Sequence, residues 1–421
     1  MLYTDSAQMR KVATYLANAA MTMNPVAMCV PTNLSEIEKD WKACAKRGYF
    51  TDPVFEYDTA ELKRIAQLGN KLEEYHTYIR TNCIPENEID SAILSILGSR
   101  IVDAILTSEM AYGILNKDDR HTMGAILRKY GRPSAGISLR CYEIIENPST
   151  YRTGEKSRFD ADTLKTLQSL QFNAADMRKR FMEIFKFYGF QTWECVIDSR
   201  VQNAVDARDK TESGKSQLVI PARKTADGRK LCSLISHEIE SHVRGSENSR
   251  ALFKQLLGEG SPLSPLINLL AKADDEKLYE GVAKMADVFT NGDISKPHPY
   301  YVIAINQALR GDNYAHFGAV AETIYGLKHN AGITSDQALD FAWNITRRVY
   351  RGCTNTTKPR FANTKDLAYF IGYTLTQCVP TSYLDFSSMS IVDLQVLAQA
   401  GVDLNHPAHP NQDAVSFIVG K

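Results

Sequence analysis

The sequence predicts a mainly helical α+β fold with a small sheet beside a metal-binding helix. Three observations carry that expectation. Most long apolar stretches repeat at helical spacing, only two runs read as strands, and a histidine-rich helix follows the second of them. Over 421 residues with 44% apolar content the chain can bury a large core and has length for two or three domains.

The elements follow in order. Residues 1–155 read as a helical amino-terminal region, with amphipathic repeats from Glu61 to Leu68 and from Ala92 to Leu97, continuing through Ile101 and Ile105. The polar run from Asn147 to Lys156 is the candidate linker, which leaves residues 156–421 as the catalytic domain. A long helix is expected around Ala174 to Tyr188, then strands over 192–197 and 217–220. The second strand passes through an Ala226-Asp227-Gly228 turn into a helix where Leu231, Leu234 and Ile235 make a buried stripe. A strand edge beside such a helix can receive an extended peptide. Further helices follow, and residues 295–301, around Pro297-His298-Pro299, read as a loop. No internal repeat or low-complexity tract is evident.

The chemistry concentrates in His237-Glu238-Ile239-Glu240-Ser241-His242. In the familiar zinc-peptidase helix the two histidines stand four residues apart, with a glutamate beside the first as general base. Here the step is five. On an ideal α-helix that leaves the imidazoles roughly 140° apart, whereas a π-turn of about 4.4 residues brings them back together. A widened turn between His237 and His242 is therefore expected, in a zincin-like setting. A third ligand is needed to leave one position open. Glu280 is the best candidate, on a helix with the stripe Leu278, Val282, Met285 and Phe289, and Glu276 one turn earlier stays open on periodicity alone. Gly281 inside that helix suggests close approach of another backbone.

Other groups read as background. Equal numbers of basic and acidic residues, 49 each, give no sign of a nucleic-acid or anionic-membrane surface. No apolar run is long enough to span a membrane, and the first residues lack a signal pattern, so a cytoplasmic protein is expected. Eight scattered cysteines without a Cys-x-x-Cys pair fit free thiols, and Cys232, near His237, reads as packing. His298, His316 and His329 are weaker alternatives to Glu280 or oxyanion partners, as are Tyr325 and Tyr369 for the oxyanion; His406 and His409 fall in a proline-rich loop.

The motifs resemble the MATCAP family of zinc metallocarboxypeptidases, whose bacterial branch carries a Gln-Glu-Gly-Leu-Ala element. His-Glu-Ile-x-x-His is followed by Glu280-Gly281-Val282-Ala283. Pro53 to Tyr57 resembles Pro-x-Phe-x-Tyr, and Tyr130 to Pro133 resembles Tyr-Gly-x-Pro. Arg348 to Gly352 matches Arg-Val-x-Arg-Gly, and Phe361, Lys365, Asp366, Tyr369 and Gly372 follow in the family's order. The resemblance implies His237, His242 and Glu280 as ligands of one zinc ion and Glu238 as the base activating a zinc-bound water. The chain departs from the family pattern at Glu240-Ser241, which brings a carboxylate near the metal; in the shortened spacing before Arg244; and at Tyr279, where the family has Gln.

A carboxypeptidase also needs a cation for the substrate's terminal carboxylate, and arginine's planar fork suits that task. Arg348 and Arg351, three apart on one helix, are the candidates, with Arg244 and Lys365 behind them and Asp366 as a competing partner; Tyr369 completes the substrate-binding set. The expected activity is zinc-dependent removal of residues at or near protein carboxyl termini; the family's eukaryotic members suggest tubulin-like tails. The alternatives are an endopeptidase or amidase with the same site, or a catalytically silent metal-stabilised binding protein.

Overall fold

The computed structural model describes residues 1–147, 157, 159–201, 205–208, 216–258, 260–272, 276–291 and 298–415. Helices dominate, as expected. Thr59–Ala66 begins at an Asp58 cap and buries Leu62 and Ile65. Glu88–Leu115 begins at Asn87, whose side chain accepts from Asp90 N, and places Ile93, Ile96, Leu97 and Ile101 in the core. Ala174–Tyr188 forms where expected, closed by a reciprocal Asn173–Asp176 cap and ended by Gly189 at φ +75.

Seven strands form three small sheets among the described residues, where the sequence suggested one. β1 (Leu2–Tyr3) pairs with β2 (Cys83–Ile84), and β3 (Gln171–Asn173) pairs with a late strand, both antiparallel. β4 (Trp193–Asp198), β5 (Asp206–Arg208) and β6 (Ser216–Pro221) make the third, in the order β4-β6-β5. The two expected strands are parallel neighbours, Cys195 opposite Leu218, with β5 antiparallel on the free side of β6. The late strand is β7 (Thr225–Asp227), so the anticipated Ala-Asp-Gly turn is a strand end whose Asp227 caps the next helix through Lys230 N at 2.7 Å. Strands of two or three residues are too short to show alternation, which is why they escaped the sequence.

The metal-motif helix runs continuously from Gly228–Leu234 through Ile235–Val243 to Arg244–Leu257, and its central segment is π-helical. The widened turn expected from the five-residue step is present. Leu231, Ile235, Ile239 and Val243 are fully buried on its inner side.

Two apolar cores result among the described residues. The smaller gathers Phe181, Trp193, Leu218, Ile220 and the inner face of the π-helical segment. The larger joins amino-terminal helices to helices from Leu252 onward, including Leu278, Val282 and Leu367. Lys277–Asn291 and Leu367–Thr376 cross so closely that a Cβ on Gly281 would lie 2.4 Å from the Gly372 carbonyl. The glycine expected to admit another backbone does so. Residues 148–156 of the linker lie outside the described residues, as do 295–297 of the expected loop. His298 to Tyr301 are not loop but the first turn of the His298–Ala308 helix, where Pro299 is tolerated because a helix's first turn has no backbone hydrogen bond to lose.

Candidate metal centre

The candidate constellation sits at the seam between the cores. The π-helical segment carries His237, Glu238 and His242, and candidate ligand atoms of all three lie within 4.8 Å of one another. The imidazoles meet edge to face, centroids 4.9 Å apart at 88°. Ser241 Oγ donates to Ser236 O at 2.8 Å across the widened turn. Glu280 comes from the facing helix, its Oε2 4.0 Å from His237 Nε2, while Glu238 Oε1 is 3.9 Å from the same nitrogen. Burial raises the Glu280 carboxyl above its ordinary value, against the pull of His237, Lys365 and Lys284. Its Oε2 is buried without a hydrogen-bond partner among the described residues. Glu276, the competing ligand, instead accepts from Lys365 Nζ at 2.5 Å.

Tyr279 stacks on His242, with ring centroids 3.6 Å apart and 16° between planes. It packs flat on the second imidazole, a contact that sequence reading missed although Tyr279 adjoins Glu280. Glu240 does not crowd the metal as expected: it accepts from Ala414 N and is buried toward the carboxyl-terminal segment.

A cavity of about 1090 Å³ opens over these groups. Of the proposed substrate-binding residues, Arg348, Lys365 and Tyr369 line it; Arg244 and Arg351 are not among its lining residues. Arg244 is buried, donating to Glu240 O at 2.8 Å and pairing with Asp385. Arg351 is enclosed, and burial, then repulsion by Arg348, lowers its pKa. Arg348 grips Asp366 with two bonds of 2.9 and 2.5 Å, reaches Tyr369 OH at 3.3 Å and lies 4.8 Å over the Tyr301 ring. Burial alone would push the Asp366 carboxyl up, but Arg348 and Arg351 bring it down to about 2. Burial foremost, then Glu280, raises the Tyr369 phenol, so it stays a hydrogen-bond donor.

Lys284, His298 and Tyr301 also line this part of the cavity. Lys284 stands 5.8 Å from the Tyr369 ring centre and His298 5.2 Å from it, centroid to centroid. Lys284 follows Glu280 by four residues on one helix face, so periodicity held the signal for it. Tyr301 had none while its segment read as loop. The other histidines singled out in the sequence are elsewhere: His316 pairs with Asp52 at 2.8 Å, His329 stacks on Tyr325, His406 pairs with Asp403, and His409 packs edge-on to Phe190. Cys232 is buried, and none of the eight cysteines is in a disulfide.

A family model described as microtubule-associated tyrosine carboxypeptidase, MATCAP, matches residues 46–385. The chain belongs to this family. No curated protein matches it. The match spans both helices of the constellation and the Arg348–Tyr369 cluster. The family-like segments remote from the site have structural roles. Tyr57 OH donates to Cys353 O at 2.8 Å and Thr356 Oγ to Pro53 O at 2.5 Å, tying Pro53–Tyr57 to the turn after Arg348. Lys129 Nζ donates to Asp103 O at 2.9 Å. No helix among the described residues is long and apolar enough to cross a membrane.

Proposed function

We propose that the protein is a zinc-dependent carboxypeptidase in which His237, His242 and Glu280 hold the metal and Glu238 is the catalytic base. The observation that carries this reading is convergence: two imidazoles one π-turn apart, with carboxylates from two helices 3.9 and 4.0 Å from the first. Donors sharing one zinc stand roughly 3.3 Å apart, so small side-chain rotations suffice. The buried, unpartnered Oε2 of Glu280 supports its place as third ligand, since an anionic oxygen so enclosed needs a cation. The bond of Glu276 to Lys365 favours Glu280 over Glu276 for that role.

Zinc, when bound, supplies Lewis acidity that polarises a peptide carbonyl and lowers the pKa of water. Glu238, next to His237 in sequence, takes the proton from the attacking water and returns it to the leaving amine. Tyr279 holds the His242 ring in plane. The substrate's terminal carboxylate is received by Arg348, Tyr369 and Lys284, with Asp366 fixing the guanidinium of Arg348 and Glu276 the ammonium of Lys365. Arg351 and Arg244 stand behind this wall and serve packing and charge.

Mass spectrometry of peptides incubated with the zinc-loaded protein tests the reading. Stepwise loss from free carboxyl termini, abolished by a chelator and by carboxyl-terminal amidation, is expected. Internal cleavage that ignores amidation would assign the site to an endopeptidase instead.

A further inference from the structure

The cavity extends well past the histidines. Thr14, Ala17, Asn18, Met23, Asn24 and Val26, on and just after the Ser6–Thr22 helix, form one wall. All precede residue 46, where the family match begins. We propose that this amino-terminal wall seats the substrate polypeptide upstream of the scissile bond, as an extended chain held mainly through its backbone. The proposal rests on the carboxypeptidase reading above and adds a specificity surface outside the matched region.

Direction follows from the cations. Arg348, Lys284 and Tyr369 line the side of the cavity built by the Lys277–Asn291, Ser335–Val349 and Leu367–Thr376 helices, and a substrate's carboxylate belongs there. The rest of the chain must then leave along the remaining walls, which residues 14–26, β5 and residues 265–272 provide. β5 is an edge strand paired to β6 on one side, and among the described residues no strand pairs with its outer edge, the kind of edge an extended chain can join.

The chemistry of the wall suits a peptide backbone. A carboxamide both donates and accepts, as a peptide group does. Asn18 is exposed. Asn24 Oδ1 accepts from Val26 N at 3.0 Å and Ala27 N at 2.9 Å, and Asn268 Oδ1 accepts from Arg250 Nε at 3.1 Å, which sets both amide groups as donors. Charge adds a restriction. Residues 14–26, 100–107 and 265–272 contribute no acid to the lining, Asp206 of β5 is paired with Arg208 at 2.8 Å, Arg100 is neutralised by Asp393 at 2.5 Å, and Lys272 is exposed. Basic side chains are therefore disfavoured on this stretch of the substrate.

The test uses a ten-residue peptide, roughly 33–36 Å long when extended, with a benzophenone side chain placed in turn at each of the middle positions. It is irradiated with the full-length zinc-loaded protein and with its Glu238→Gln form. Crosslinks within residues 14–26, 206–208 or 265–272 are expected. Crosslinks elsewhere, or none, overturn the wall, even where the peptide still loses its last residue. Crosslinks at the wall without release of that residue by the wild-type protein keep the wall and sink the peptidase reading. In parallel, the ratio of kcat/KM for the long peptide to that for an acylated dipeptide with the same last two residues should fall at least about fivefold, or about 1 kcal/mol, in Asn18→Trp. Lys272→Glu should shift preference toward peptides with basic middle residues. An unchanged ratio in Asn18→Trp together with unchanged preference in Lys272→Glu overturns the proposal.

Discussion

The two sides of the candidate metal site are built differently. The histidine side lies on one continuous helix, and its geometry is local: the π-helical Ile235–Val243 segment alone decides whether His237 and His242 converge. The cationic side draws Lys284, His298, Arg348 and Tyr369 from four helices, and each side chain's role depends on what the others bring. A local constellation can be read from spacing. An assembled one is defined by its partners, as Asp366 shows by claiming two bonds from Arg348.

The largest effect expected is on the histidine side. Glu238→Gln should lower kcat/KM by about 10³-fold or more while bound zinc remains stoichiometric, because a general base is lost and the ligand set is kept. His237→Ala should lose both metal and turnover. Metal content by mass spectrometry beside a peptide assay reads both, and near-normal turnover in Glu238→Gln would end the base assignment.

On the cationic side the corresponding break is Asp366→Ala. It leaves the half-buried Arg348 without its carboxylate, and because that guanidinium still faces the cavity the cost should be about 3 kcal/mol, the low end for breaking a buried pair, seen as a lower urea midpoint. The same carboxylate has a pH signature. Its folded pKa is depressed to about 2, so its stabilisation is complete above the unfolded value near 3.9 and disappears as pH falls through about 2. The stability difference between wild type and Asp366→Asn should narrow by about 2 kcal/mol across that window. A difference that stays constant from pH 5 to 2 would show that the pair contributes nothing electrostatic.

These contrasts explain what was legible in the sequence. The mainly helical class, β4 and β6, the helix carrying Glu280, the widened turn and the close approach at Gly281 each leave a periodic or steric trace within a few residues. Arg244 and Glu240 misled because nothing in their neighbourhood announces Asp385 or Ala414, well over a hundred residues away. Tyr279 lay in view beside Glu280, yet stacking on His242 depends on how two helices face one another. The wall from residues 14–26 was unreadable for the same reason: an amphipathic helix does not reveal which cavity its partly exposed face borders.

The helix crossing offers a finer probe. Gly281→Ala places a methyl group 2.4 Å from the Gly372 carbonyl, and neither backbone can yield without separating the helices. Overpacking of this kind costs about 1–3 kcal/mol. Because Glu280 is the next residue, zinc affinity should fall along with stability. Loss of stability with unchanged affinity would mean that Glu280 is not held by this crossing.

The smallest effect tests whether the widened turn needs side-chain support. Ser241 Oγ donates to Ser236 O at 2.8 Å, and Ser241 O in turn accepts from Ser387 Oγ at 2.8 Å. Ser241→Ala removes only the first bond, at a buried position where alanine fits without a clash and favours helix. A buried hydrogen bond contributes about 1 kcal/mol net. If the backbone alone sustains the π-turn, the variant should lose about that much stability and bind zinc as wild type does. If the hydroxyl holds the turn open, the helix relaxes toward ordinary α-spacing, the imidazoles diverge, and zinc affinity falls far more than stability. The local character assigned to the histidine side predicts the first outcome, and zinc titration beside urea denaturation separates the two.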